Sequence, residues 1–197
     1  PYEKVYEDGT RTTYTYQLYT GNLESVTYAN DQASGNPTMT YAYHIDGTLA
    51  EVDHIDPNTP DVAYEYNDFL GRLTSHTDQL GTTTYSYIPL SGAQNGAGDL
   101  YQVDGPWPND TFRHGYDWQG RQISRHMLDD TLPTPNVLHE QTLSFDVLGR
   151  ITGEVNNLGT FALTYNPGNL TGKVDRLVYP NGMQTDYDYY PVTGSAN

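Results

Sequence analysis

Six histidines are the residues of this 197-residue chain whose side chains most often bind metal ions. No two of them form a tight ligand pair such as H-x-x-x-H, and they are spread along the chain. Cysteine is absent, so neither a thiolate nucleophile nor a cysteine-based zinc site can exist. The sequence therefore predicts no cofactor and no metal site built on His44, His54, His76, His114, His126 or His139.

Acidic side chains cluster in two loops. Asp53, Asp56 and Asp61 flank a proline-rich loop, and Asp129 and Asp130 lie in another. Carboxylate and carbonyl oxygens are the ligands that calcium prefers, but the spacing and central glycine of an EF-hand are missing. Calcium binding and ordinary acidic loops both remain open.

Carboxylates acting in pairs could also hydrolyse glycosides. The chain has 25 acidic residues, and none stands out from the loops and repeats. Ser91-Gly92 lacks the G-x-S-x-G elbow of a serine hydrolase, and no helix pattern follows the glycine-rich residues 92–98. We predict that the chain is not an enzyme, and a glycan-active enzyme is the least favoured alternative.

Two aromatic residues could hold a sugar by stacking. Trp107 lies between two prolines in DGPWPND, and Tyr101 precedes it. The alternative is that the Trp107 ring folds back over a sheet. Trp118 lies in a turn, where we predict that it acts as a packing plug.

The formal charge of −16 limits the range of partners. So negative a surface repels phosphate backbones and anionic lipids, so we expect no nucleic-acid binding. No apolar run approaches the roughly 20 residues of a membrane helix, so we expect no membrane insertion. Tyrosine, threonine, asparagine and glycine are abundant, which favours a sheet-rich protein.

Pairs of aromatic or apolar residues two positions apart recur about every 25 residues. Residues at this spacing share one face of a β-strand, while the small or polar residue between them faces the other side. We therefore predict a chain built almost wholly of strands. The pairs are Tyr14/Tyr16, Tyr41/Tyr43, Tyr64/Tyr66, Tyr85/Tyr87, His114/Tyr116, Leu143/Phe145, Leu163/Tyr165 and Tyr187/Tyr189.

Turn signals on both sides of the pairs predict hairpins. One class follows the pair, as in Asp117-Trp118-Gln119-Gly120-Arg121, with shorter copies such as Gly168-Asn169-Leu170. A second class precedes it, at Asp8-Gly9, Leu80-Gly81, Leu158-Gly159 and Asn181-Gly182. Glycine supplies the positive φ that short hairpin loops need. Two alternating turn types predict an antiparallel meander of about eight hairpins.

Three units carry a resemblance to a known family. YEYNDFLGRLTSH (64–76), HGYDWQGRQISRH (114–126) and LSFDVLGRITGEV (143–155) resemble the YD repeats of Rhs proteins, of insecticidal toxin-complex B and C components and of teneurins. The resemblance covers about residues 2–190. Unit 64–76 has one residue more than the family pattern, unit 165–171 has one fewer, and Gln122 replaces the apolar residue after Gly-Arg.

This resemblance implies a fold and a role. Relatives wind such hairpins into a spiralling sheet that closes as a hollow shell around a toxic polypeptide, or form part of an adhesion ectodomain. It implies that residues 1–197 are one segment of a longer, secreted or cell-surface array. The expected partners are the remaining repeats or neighbouring subunits and an enclosed toxin or effector. The alternative is a module of an extracellular adhesin or fibre that binds carbohydrate through Trp107 and Tyr101.

The repeat chemistry predicts specific contacts. Stacked repeats would line their rings into a ladder. The arginine after glycine can lie over a ring of this ladder or bond to the turn carboxylate, so we interpret Arg72, Arg121 and Arg150 as structural. We also expect Gly120→Val to lower the free energy of unfolding by more than about 1 kcal/mol, because a β-branched residue resists positive φ. An unchanged melting temperature would contradict that turn assignment.

Overall fold

A computed structural model describes residues 1–29, 37–56, 58–131, 133–166 and 172–189. In these ranges the backbone forms strands and turns, and no helix long and apolar enough to cross a membrane occurs in them. The strands are β1 (Tyr2–Val5), β2 (Arg11–Tyr16), β3 (Leu23–Ala29), β4 (Thr38–Tyr43), β5 (Leu49–His54), β6 (Val62–Glu65), β7 (Ser75–Asp78), β8 (Gly81–Tyr87), β9 (Leu100–Asp104), β10 (Thr111–Tyr116), β11 (Gln122–Asp129), β12 (Asn136–Phe145), β13 (Ile151–Asn156), β14 (Gly159–Tyr165), β15 (Val174–Val178) and β16 (Gln184–Asp186).

The predicted fold class is confirmed. The sixteen strands follow one another in sequence order in a single antiparallel sheet, from β1 to β16. The chain divides into two compact units, Pro1–Ser86 with Val103–Trp107, and Tyr87–Gln102 with Pro108–Asn197. Strands β1–β7 belong wholly to the first unit and β10–β16 wholly to the second. The turn signal at 168–170 and most of the loop between β3 and β4 lie outside the described residues.

Burial along the strands follows the alternation of the sequence. In β8 every second residue is half-buried, including Tyr85 and Tyr87, while Ser86 between them is exposed. In β12, Leu143 and Phe145 are half-buried and Ser144 is exposed. Fully buried apolar side chains are few, and most described strand residues are half-buried or exposed. In the described residues they are Val26 in the first unit and Ile88 and Leu128 in the second.

The second ring of the pair marks an irregularity that the sequence did not predict. At five hairpins the register shifts between the second ring and the residue before it, which is typical of a β-bulge. After the shift, Phe145 pairs with Ile151 and Tyr116 with Gln122, the residues that follow Gly-Arg. The bulge therefore places the second ring of each pair opposite the first residue after the turn. The shifts lie at Thr15/Tyr16, Ala42/Tyr43, Gly115/Tyr116, Ser144/Phe145 and Thr164/Tyr165.

Three of the turns after the pairs, at 44–48, 117–121 and 146–150, share one hydrogen-bond pattern. The Asp117 N–H donates to the Arg121 carbonyl (3.0 Å), and the Gly120 N–H donates to the Asp117 carbonyl (3.0 Å). Asp146, Gly149 and Arg150 repeat both bonds. Gly120 has a φ of +77°, which confirms the predicted positive φ. A turn closed by a left-handed glycine is a common hairpin connection.

The division into two turn classes is partly wrong. Asp8-Gly9 and Asn181-Gly182 make the same two bonds as these three turns after the pairs. Only Leu80-Gly81 and Leu158-Gly159 differ, because their glycine is already the first residue of a strand, paired with Asp78 or Asn156 across a two-residue loop. Dipeptide identity did not separate them because both geometries use a glycine with positive φ.

The last aromatic pair is not in a strand. Strand β16 ends at Asp186, and Tyr187 and Tyr189 follow it as exposed residues. The Tyr187 N–H still donates to the Asp175 carbonyl (2.9 Å). The spacing of two residues between Tyr187 and Tyr189 therefore predicted a strand that is too long. Of the two, Tyr187 still bonds to the neighbouring strand.

Candidate functional site

The turn aspartates are the most fully bonded side chains of the repeats. One carboxylate oxygen of Asp117 accepts hydrogen bonds from the N–H groups of Gln119 (2.9 Å) and Arg121 (3.0 Å). The other accepts from the Arg121 guanidinium, at 2.7 Å from Nε and 2.6 Å from a terminal nitrogen. One carboxylate thus holds the turn backbone and the arginine at the same time.

We call this arrangement, in which the turn aspartate bonds to both the turn backbone and the turn arginine, the clamp. Two further turns use it. Asp146 accepts from the N–H groups of Leu148 and Arg150 (2.9 Å each) and from Arg150 Nε (2.6 Å). Asp68 accepts from the Leu70 N–H and from the Arg72 guanidinium (2.6 Å each). The predicted pairing of the turn arginines with the turn carboxylates is confirmed.

The arginines of the second unit also join one repeat to the next. The Arg121 guanidinium carbon lies 4.4 Å from the centroid of the Phe145 ring, and that of Arg150 lies 4.2 Å from the Tyr165 ring. Each ring is the second of the following pair. A guanidinium over an aromatic face is a favourable cation–π contact. The predicted ladder is therefore built from rings alternating with guanidinium groups at these positions.

Direct ring contacts occur elsewhere in the ladder. His76 lies between Tyr64 and Tyr85, with centroids 6.4 and 5.9 Å away, and Tyr2 contacts Tyr14 at 6.1 Å. These distances suit tilted aromatic pairs. Successive copies therefore touch, as the repeat interpretation requires.

Tyrosine hydroxyls form a link between repeats that sequence reasoning missed. Tyr43 donates to the Leu23 carbonyl (2.9 Å) and Tyr165 to the Ile151 carbonyl (2.7 Å). Both carbonyls belong to the residue paired with the second ring of the preceding repeat. Tyr116 makes the same kind of bond to Leu100 (2.8 Å). The available signal was the preference for tyrosine over phenylalanine at the second position.

Bonding at the turns lowers the pKa of all three aspartates below their ordinary value of 3.8. For Asp68 the main cause of the lowered pKa is the hydrogen bond from the Arg72 guanidinium. For Asp146 it is the bond from the Arg150 N–H, which lowers the pKa most. Burial raises the pKa of Asp117, but the backbone and guanidinium bonds from Arg121 outweigh it.

We expect the melting temperature to fall as the pH drops below about 4. A carboxyl with a lowered pKa in the folded state stabilises fully above its unfolded pKa. That stabilisation is lost as the pH falls through the folded value. Thermal unfolding between neutral and strongly acidic pH should show a smaller acid loss in Asp117→Asn/Asp146→Asn than in the wild type. Glu3→Gln, outside the turns, is the control, and equal acid loss in all three proteins would refute the clamp.

Phe145→Tyr is expected to raise the free energy of unfolding by about 1 kcal/mol. The new hydroxyl should reach the Gln122 carbonyl, the counterpart of the Ile151 carbonyl that Tyr165 uses. Tyr165→Phe should lower stability by a similar amount. Urea unfolding measures both. Loss in Tyr165→Phe without gain in Phe145→Tyr would mean that the Gln122 carbonyl is out of reach.

The acidic loops use their carboxylates locally. Asp61 accepts from the His54 N–H (2.8 Å), and Asp56 accepts from the N–H of Asn58 (3.0 Å). Asp130 accepts from the Thr111 hydroxyl (2.6 Å). Within the described ranges no three His, Cys, Asp or Glu side chains are grouped to hold a metal ion. The carboxylates of both loops therefore bond to neighbouring parts of the chain.

The aromatic candidates lie in different environments. Tyr101 is half-buried in β9, and the Arg113 guanidinium carbon lies 5.7 Å from its ring centroid. Trp107 follows β9 and is 55% exposed. Trp118 is 79% exposed, so its interpretation as a packing plug is wrong. Trp118 follows the turn aspartate, so it lies at the hairpin tip, where its side chain is exposed and does not fill a space between packed residues.

Fold and contacts together define a class: an antiparallel β-sheet of repeated hairpins that are joined through their turns. No protein-family model matches the chain, and no curated protein matches its sequence significantly. Membership of the YD-repeat family therefore stays a prediction.

A solved structure shares the fold of this chain. The chain resembles TcdB2–TccC3 without its hypervariable C-terminal region, with 14% identity and a TM-score of 0.52 over 93% of this chain and 11% of that one. TcdB2–TccC3–Cdc42 matches with 16% identity and a TM-score of 0.45 over 97% and 13%. The Tc holotoxin pore of Photorhabdus luminescens matches with 12% identity and a TM-score of 0.38 over 90% and 12%. The chain thus spans about an eighth of their length, and the first likeness shows a shared fold.

Proposed function

We propose that this chain is a non-enzymatic structural repeat segment of a secreted or cell-surface protein. In this role it forms part of a β-shell that encloses or scaffolds a toxin or effector polypeptide. The remaining repeats of the same polypeptide, or neighbouring subunits, complete the shell.

The observation that carries the proposal is the linkage between repeats. Arg121 reaches the ring of Phe145, Arg150 reaches Tyr165, and the Tyr165 hydroxyl reaches back to Ile151. A hairpin of two strands is only marginally stable alone, so repeats that bond to their neighbours suit a continuous wall. The fold likeness to a Tc toxin assembly adds support.

The same bonds favour a structural role over a catalytic one. A general acid or nucleophile needs a carboxylate that can approach a substrate. The turn carboxylates Asp117 and Asp146 instead accept three or more bonds each from their own turn. Glycan hydrolysis that disappears on replacing one carboxylate would refute the non-enzymatic proposal.

Limited proteolysis of the complete polypeptide that contains these residues tests the shell. We expect an enclosed segment to resist protease, and to become sensitive in Arg121→Ala/Arg150→Ala because the wall loosens between repeats. Arg11→Ala is the matched control, since Arg11 pairs with Glu3 away from these turns. Equal sensitivity in the wild type and both variants would refute enclosure.

Carbohydrate binding is the second candidate, favoured by the exposed ring of Trp107. Exposed tryptophan rings can stack on apolar ligand faces. Glycan-array binding by the wild type that Trp107→Ala and Tyr101→Ala abolish would support an adhesin or fibre module. Binding that survives both changes would remove these residues as the site.

A further inference from the structure

A large apolar residue occupies the tip of five described short turns that follow an aromatic pair between two strands. In the first unit Leu18, Ile45 and Phe69 are 86%, 108% and 83% exposed. Trp118 and Val147 take the same place in the second unit and are also exposed. Apolar residues so fully exposed contribute nothing to the fold, and clusters of them mark contact surfaces.

Turn geometry does not require an apolar tip. The turn between β1 and β2 makes the same two hydrogen bonds at the opposite edge of the sheet, yet its tip residue is Glu7. The turn between β15 and β16 has Pro180 in that place. Turns of the same conformation thus carry Ile45, Trp118 and Val147 at one edge and Glu7 or Pro180 at the other. The opposite edge also exposes apolar residues, such as Leu80 and Leu158 in their two-residue loops.

The first unit contains three such turns in succession. Because consecutive strands lie about 4.8 Å apart, tips on the same edge recur about every 9.6 Å. Two exposed neighbours of the tips, Tyr19 and Leu70, enlarge this apolar surface. We call it the tip ridge, and it consists of Leu18, Tyr19, Ile45, Phe69 and Leu70.

Charge separates the two edges of the first unit. Beneath the tip ridge, the Asp68 carboxylate is paired with Arg72, and Asp46 is the other acidic residue of these three turns. The described turns of the opposite edge carry Glu7, Asp8, Asp56 and Asp61 and no lysine or arginine. In a protein of charge −16, two copies repel each other least at the tip ridge.

We propose that the tip ridge is a self-association surface, covered by the tip ridge of a second copy of this chain. A two-fold axis brings the same patch from both copies together, so the spacing of the tips matches by construction. Tyr19 and Phe69 can each bury roughly 150–250 Å². With the three aliphatic residues, the ridge approaches the roughly 800 Å² per partner of a standard interface. The proposal rests on exposure and charge, so it stands independently of the shell function.

Sedimentation analysis over a wide range of protein concentration tests the proposal. We expect the wild type to form dimers and Ile45→Asp/Phe69→Asp to weaken dimerisation at least about tenfold. Leu80→Asp is the matched control, since Leu80 is an exposed turn residue at the opposite edge of the same unit. A monomeric wild type, an unaffected double variant, or equal weakening by Leu80→Asp would each overturn the proposal.

Cross-linking gives a second readout that does not depend on the charged variants folding. The chain has no cysteine, and Ile45 is the middle tip, so a two-fold axis places both copies of it together. Ile45→Cys should give a disulfide-linked dimer on oxidation, and Leu80→Cys should not. Equal cross-linking of both overturns the proposal. So does wild-type binding to phosphatidylcholine vesicles that the tip variants abolish without any dimer, which would assign the ridge to a membrane.

Discussion

Gly159→Ala is expected to lower the free energy of unfolding by about 2–5 kcal/mol. Gly159 begins β14 with a φ of +121°, a region that L-residues avoid at a cost of roughly 1–2 kcal/mol. A Cβ there would lie 2.7 Å from the Pro180 Cβ, and the proline ring cannot rotate away. Overpacking of this kind costs roughly a further 1–3 kcal/mol.

Gly120→Ala is the control that separates strain from contact. Gly120 also has positive φ, but no atom lies within 4 Å of its ideal Cβ position. It should therefore lose only about 1 kcal/mol. Urea unfolding curves give both values. Equal losses would show that Pro180 yields, and that backbone strain alone sets the cost at Gly159.

Ile88→Ala is expected to lower the free energy of unfolding by about 2–4 kcal/mol. Ile88 is 1% exposed, and its backbone bonds to Asp99 and Gly98 close the base of the loop after β8. Truncation removes buried methyl groups and leaves a cavity in a unit that has few other buried apolar side chains.

Ile45→Ala is the matched control for Ile88→Ala. Both changes remove the same atoms, but Ile45 is fully exposed at a hairpin tip. We expect its unfolding free energy to change by less than about 0.5 kcal/mol. Measurement at a protein concentration low enough to keep the chain monomeric separates folding from association. A small effect at Ile88 would show that the loop rearranges to fill the space.

Local patterns predicted much of this protein because the interactions behind them are local. The spacing of two between rings predicted the strands, since side chains alternate across a pleated sheet whatever its neighbours. The Asp-x-x-Gly-Arg order predicted the turn and its ion pair, because all partners lie within five residues. Tyr187 and Tyr189 failed this test because strand length depends on the pairing partner, and among the described residues beyond Asp186 only the Tyr187 N–H bonds to β15, at Asp175.

Contacts between repeats depend on which strands become neighbours and on their register. The sequence around Arg121 predicts only that an arginine follows a turn. The pairing of β12 with β11 and β13 is what brings the Phe145 ring beneath the Arg121 guanidinium. The same applies to the carbonyl that Tyr165 reaches and to Pro180 against Gly159.

The sequence by itself determined an all-β chain of repeated hairpins whose turns hold an aspartate–arginine ion pair, because those features arise within one hairpin. Only the tertiary structure decided that Trp118 is exposed and Ile88 buried. Hydrophobic residues look alike in a sequence, and whether each is covered depends on where the bulges and turns direct the surrounding strands.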